Sequence, residues 1–151
     1  MKLRFLTFAL VVLVSCAQDT SRIKAAIQTA YNAQSAAYAK RDAVGVMRYL
    51  SLKYIDVNTD GDTNHDAYET LIERLFATGA NFTVIVKVTD LRMEATRAVV
   101  TAKRHFVAGG LNPLKPDSDF VQDEVLEDWW VQEKGQWLKA QSTVVSSEQP
   151  K

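Results

Sequence analysis

The hydrophobic period of this chain changes once, from near 3.6 residues before residue 80 to 2 after it, and that switch restricts the fold more than any motif. Ile23, Ile27, Ala30, Tyr31, Gln34 and Tyr38 recur at helical spacing among many alanines, which predicts a helix over about 21–40. Thr20 or Ser21 can cap it. Asp42 reads as the cap of a second, short helix with Val44, Met47 and Leu50 on one side. Residues 53–58 read as a short strand, and Asn58-Thr59-Asp60-Gly61 as a turn. Asp66, with Glu69 three residues on, resembles a capping box ahead of an apolar helical face of Tyr68, Leu71, Ile72, Leu75 and Phe76, which Gly79 closes.

Beyond that glycine the pattern is β. Phe82, Val84, Val86 and Val88 alternate with Thr83, Ile85, Lys87 and Thr89. Further strands are predicted over 98–108, 121–133 and 136–145, with a turn near Ala95-Thr96-Arg97 and a loop over 109–119. Lys134-Gly135 reads as the turn of a tight hairpin. Helices first and a β meander last predict an α+β fold, a curved antiparallel sheet with helices on one face.

The first fifteen residues stand apart. Lys2 and Arg4 precede an apolar run from Phe5 to Val14, too short to span a bilayer but suited to a signal-peptide core. Leu13-Val14-Ser15-Cys16 follows, with the chain's one cysteine, and resembles the bacterial lipobox, whose cysteine becomes diacylated. The expected division is a lipoprotein-type signal peptide over 1–15, a tether over 16–20, one domain over 21–147 and a polar tail over 148–151. Lipidated Cys16 would hold the domain at the cell envelope essentially permanently, since each buried CH₂ contributes about 0.8 kcal/mol. The alternative is a secretory leader cut after Ala17, giving a secreted or periplasmic protein. Without the leader the chain has 16 basic and 18 acidic residues, interspersed, which predicts no nucleic-acid partner. No disulfide can form within one chain.

The order of elements, with Tyr38-Ala39-Lys40-Arg41-Asp42, Met47-Arg48-Tyr49-Leu50, Tyr54-Ile55-Asp56, Asp128-Trp129-Trp130-Val131 and Lys134-Gly135-Gln136-Trp137, resembles the nuclear transport factor 2-like superfamily. More specifically, it resembles the superfamily's SnoaL-like and calcium/calmodulin-kinase association-domain-like bacterial groups. The resemblance implies a cone-shaped sheet with helices on its concave face, a pocket for a small apolar ligand and often a homodimer. The superfamily hosts dehydratases, isomerases and non-catalytic binders alike.

A two-residue turn at Lys134-Gly135 would set Asp128 opposite Gln141 and Trp130 opposite Lys139, all four on one face. A carboxylate in such an apolar wall could act as a general acid or base. Alternatively Asp128 pairs with a lysine and Trp130 is core. His105 with Asp128 or Asp56 would suit proton transfer; otherwise it is structural or exposed. Tyr31, Tyr38, Tyr54 and Trp130 are candidates for lining the pocket, although Tyr31 and Tyr38 could equally be tyrosines at the edge of the core with wet hydroxyls. Asp56, Asn58, Asp60 and Asp62, with Gly61 and Asn64, match the first part of a calcium loop, but Ala67 stands where its closing carboxylate belongs, so no metal is expected. No cofactor motif is present. Two readings follow: a lipid-anchored binding or assembly domain, or a cofactor-free dehydratase or isomerase.

Overall fold

The computed structural model describes the backbone of residues 5–110 and 119–148 and the side chains of residues 19–110 and 119–148. The chain runs α1 (Phe5–Lys40), α2 (Ala43–Met47), β1 (Leu50–Val57), β2 (Thr63–Asn64), α3 (His65–Ala77), β3 (Asn81–Glu94), β4 (Arg97–Gly109), β5 (Asp119–Glu133) and β6 (Gln136–Glu148). Cys16, the leader and most of the loop expected over 109–119 fall outside the described side chains. No helix among the described residues is long and apolar enough to cross a membrane.

Six strands form one curved sheet in the order β2-β1-β6-β5-β4-β3. It is antiparallel except where β1 runs parallel to β6. That one parallel pair makes the sheet mixed, within the curved, helix-covered α+β architecture expected. The helix pair α1–α2 delivers β1 to the far edge in the same direction as the last strand, and α3 then carries the chain across to β3 on the opposite edge. The added β2 is a two-residue bridge to the end of β1.

The helical stripe read from sequence is the buried face of α1. Ile27, Ala30 and Tyr31 pack on Val84, Val86, Val88, Ala98, Val100, Ala102 and Trp130. Gln28 pins this helix to the open edge of β3: its side-chain amide donates to the Val86 carbonyl at 2.8 Å, and its carbonyl accepts from the Val88 N–H at 2.9 Å. One carboxamide thus stands in for a neighbouring strand and occupies edge groups that could otherwise template aggregation. Residues three, six or seven, and ten positions further along α1 are thereby aimed under the sheet.

Local expectations mostly hold, with shifts that have physical causes. Asp42 caps α2, accepting from the Gly45 N–H at 3.0 Å. The buried side of that helix is Val46 and Met47, not Val44, which is 70% exposed, because five residues make barely more than one turn against α1. Asn64, not Asp66, caps α3, accepting from the Ala67 N–H at 3.0 Å. Asp66 lies in the first turn instead. Leu71 is exposed and Ile72 carries the burial of that helix. Lys134 and Gly135 both have positive φ, 49° and 81°, the type I′ geometry whose twist matches a hairpin.

A candidate ligand cavity under the sheet

Register places the inner residues. β5 and β6 pair antiparallel with Trp130 opposite Lys139, as the tight turn requires. Between Trp129 and Trp130 the register shifts: Trp129 faces Gln141, so Ala140 is an extra residue on β6. A bulge of this kind displaces every later partner by one. Asp128 therefore stands opposite Ser142, not Gln141, and Gln141 joins Trp129 on the other face.

Asp128, Lys139 and Ser142 converge beneath Tyr31. The Asp128 carboxylate is fully buried. It accepts from the Ser142 hydroxyl at 2.6 Å and from the Tyr31 hydroxyl, and pairs with the Lys139 ammonium at 2.9 Å. Trp130 donates its indole N–H to the Tyr31 oxygen at 3.3 Å and meets that ring edge-on with centroids 5.0 Å apart. The Lys139 ammonium also lies 4.7 Å from the Tyr31 ring centroid, within cation–π range. Every polar group of this cluster is partnered, as the burial of an ion pair demands.

A cavity of about 30 Å³ opens beside the cluster, with room for one or two waters. Tyr31, Tyr38, Tyr54 and Tyr68 line it, together with Gln34, Ser35, Ser142, Lys139, Arg104 and an aliphatic set that includes Val46, Leu50, Val84, Val86 and Leu126. Tyr38 and Tyr68 join hydroxyl to hydroxyl at 3.1 Å, tying α1 to α3. Arg104 reaches across to Glu124 on β5, with Nε 2.6 Å from the carboxylate. Burial works against the Arg104 charge; the Glu124 carboxylate, with smaller contributions from Tyr68 and Tyr38, outweighs it and raises the guanidinium pKa.

Burial raises the pKa of all four lining tyrosines above the ordinary 10.0. The Asp128 charge adds to the effect at Tyr31, and Asp56 then Asp128 add to it at Tyr54. These hydroxyls are not the wet core-edge groups allowed for above: at Tyr31 a carboxylate replaces water as the partner. A folded pKa above the unfolded one means the native state holds the proton more tightly. The associated stability is complete below pH 10 and is lost as pH rises beyond it. An alkaline titration followed by tyrosinate absorbance should show these four ionising together with loss of structure above that pH. Ionisation of all four in a fully folded protein would contradict their burial.

The sequence-derived candidates separate into three places. Tyr31, Tyr38 and Tyr54 line the cavity, whereas Trp130 does not reach its wall and is packed core beneath Tyr31. Asp128 lies behind the wall. His105 follows Arg104 on β4 and so points to the opposite, open face, where its Nδ1 lies 2.7 Å from Asp123. His105 and Asp128 therefore do not meet. A second, more open depression of about 450 Å³ surrounds that pair, lined also by Ile85, Val125, Arg104 and Glu124. Asp56 is next to last on β1, with Asn58 folded back onto it, the amide 3.3 Å from its carboxylate. Asp60 and Asp62 are exposed, and among the described residues no three acidic, histidine or cysteine side chains converge as metal ligands. Arg104, Tyr68, Gln34 and Ser142 were not anticipated as site residues.

No family model matches the sequence, and no curated protein does. Solved structures do match in shape. A scytalone dehydratase-like protein from Novosphingobium aromaticivorans superposes with TM-score 0.73 at 14% identity, over 89% of this chain and 92% of its own. The chain has the nuclear transport factor 2-like fold. LinA shares this nuclear transport factor 2-like architecture with TM-score 0.70 at 12% identity, over 87% of this chain and 90% of its own. A ketosteroid isomerase-like protein from Erwinia carotovora atroseptica matches with TM-score 0.62 at 15% identity, over 81% and 95%. At such identities the likeness extends to the fold alone, not to the chemistry of any residue.

Proposed function

We propose that the chain is an exported, lipid-anchored domain that binds a small molecule inside its cone. The observation that carries the binding reading is the wall of four tyrosines and two cations around a cavity of about 30 Å³. A core built for stability alone gains nothing from this arrangement, because hydrophobic residues of similar volume serve as well or better than a buried ion pair. Polar groups turned toward a shared cavity are what a specific small-molecule site needs. The fold neighbours named for a dehydratase and an isomerase lend support, since such proteins accommodate small molecules in this architecture. A dehydratase or isomerase reading that needs His105 beside Asp128 or Asp56 has no support from the geometry: the histidine occupies the other face of the sheet.

Two measurements test the two halves. A panel of small organic molecules with acid, phenol and amide heads should include members that shift the ring resonances of Tyr38 and Tyr68; a panel without effect removes the binding reading. Separately, the full-length protein should partition with membranes and carry acyl mass, and Cys16→Ala should release it into the soluble fraction. A soluble wild-type protein with no acyl mass would end the anchoring half while leaving the cavity untouched.

A further inference from the structure

The cavity wall has a charge asymmetry that narrows the guest. Its side chains include two cations, Arg104 and Lys139, and seven neutral groups able to hydrogen-bond, namely the four tyrosines with Gln34, Ser35 and Ser142. Among the described residues, no aspartate or glutamate is on that wall. Both counter-ions sit behind it: Asp128 is held under Tyr31, Lys139 and Ser142, and Glu124 is only 7% exposed against Arg104.

The Arg104 fork is only partly used. Its Nε and one terminal nitrogen both engage the same oxygen of Glu124. The remaining terminal nitrogen makes no hydrogen bond among the described residues, yet it is not an orphaned buried atom, because no buried side-chain nitrogen or oxygen among them lacks a partner. It is therefore a solvent-reachable donor on a side chain that lines the cavity. A guanidinium with free N–H groups is a planar site for a carboxylate. Glu124 already fills part of that role from within the protein.

We propose that the guest is a small organic acid whose carboxylate enters between Arg104 and Lys139, with its apolar body against Val84, Val86, Leu126, Val46 and Leu50. The proposal rests on the small-molecule reading above and adds the chemical class. Glu124 acts as the internal substitute that the incoming carboxylate displaces from Arg104. The Tyr38–Tyr68 hydroxyl pair is the contact that parts to admit a body larger than the present 30 Å³.

Benzoate and benzamide have nearly the same shape and differ in charge, so they make the test. Titrations of each into the intact domain are read by calorimetry and by the tyrosine ring resonances, against sodium chloride at equal concentration. Benzoate should bind at least about tenfold more tightly than benzamide, the difference expected when a charge-assisted pair replaces a neutral one. Glu124→Gln keeps a side-chain oxygen for Arg104 and removes the competing charge, so benzoate binding should tighten by several-fold. The Arg104→Gln/Glu124→Gln double variant, which leaves no unpaired charge, should lose that gain and more. Equal binding of benzamide overturns the organic-acid proposal and leaves the small-molecule reading standing. Chloride reproducing the benzoate shift overturns it as well. Benzoate affinity unchanged by Glu124→Gln removes Arg104 as the anchor. Failure of benzoate, benzamide and the whole panel removes both readings together.

Discussion

Asp128→Ala lowers the unfolding free energy by about 3–5 kcal/mol, the cost of leaving one member of a buried ion pair alone. The substitution strips the Lys139 ammonium, itself only 8% exposed, of its counter-ion, and takes an acceptor from Tyr31 and another from Ser142. Urea unfolding measures the loss, and a change under about 1 kcal/mol would mean that water or a shifted Lys139 repairs the site, against the packing described. The pair itself is a different quantity from the damage done by halving it. Asp128→Leu combined with Lys139→Met should recover most of the stability, because two apolar groups replace two desolvated charges. That double variant separates the stabilising role of the pair from its role at the cavity: a stable protein that no longer binds benzoate is the expected result.

Trp130→Ala costs about 3–5 kcal/mol by removing the largest fully buried side chain of the main core. The indole packs with Ile27, Ala30, Tyr31 and Ala98 and donates to the Tyr31 hydroxyl, so the truncation opens a cavity and frees the tyrosine that holds Asp128. For a domain of this length the loss corresponds to a melting temperature lower by roughly 10 °C. Trp130→Phe keeps most of the ring and loses only the N–H, and should fall well short of that. A Trp130→Ala variant that melts within two or three degrees of the wild type would show that the site collapses around the missing ring. The same substitution should weaken ligand binding only through Tyr31, since Trp130 stops short of the cavity wall.

How far the site could be read beforehand varies with how local each determinant is. The helical stripe from Ile27 to Tyr38 and the inner alternation of Phe82, Val84, Val86 and Val88 identified the two surfaces that meet, because periodicity depends on the chain alone. The opposition of Trp130 and Lys139 followed from the Lys134-Gly135 turn, two residues whose left-handed geometry sets the register of what comes next. That reasoning ended at Ala140. A bulge answers to the bend of the whole sheet, and it exchanged Gln141 for Ser142 as the partner of Asp128.

Arg104 and His105 illustrate a different limit. Val99 and Val100 are both buried, at 1% and 0% exposure, so β4 shows no clean alternation from which to decide which neighbour faces inward. The small residues Ala98 and Ala102, six and two positions before Arg104 and so on its face, were the signal available: they mark the face where α1 comes close. In sequence Tyr68 reads as one more apolar residue of α3, and only the approach of Tyr38 from another helix gives its hydroxyl a purpose.

By itself, then, the sequence determined the class of fold, the succession of elements, the turns and the identity of the core faces, since each of these is written in spacing over a few residues. The tertiary structure alone decided that β1 lies parallel to β6, that His105 and Asp128 look away from each other, and that two cations share an inner wall while their counter-ions stand behind it. Those are outcomes of register and curvature, in which residues seventy or a hundred positions apart are brought within hydrogen-bonding distance, and no local pattern encodes a distance of that kind.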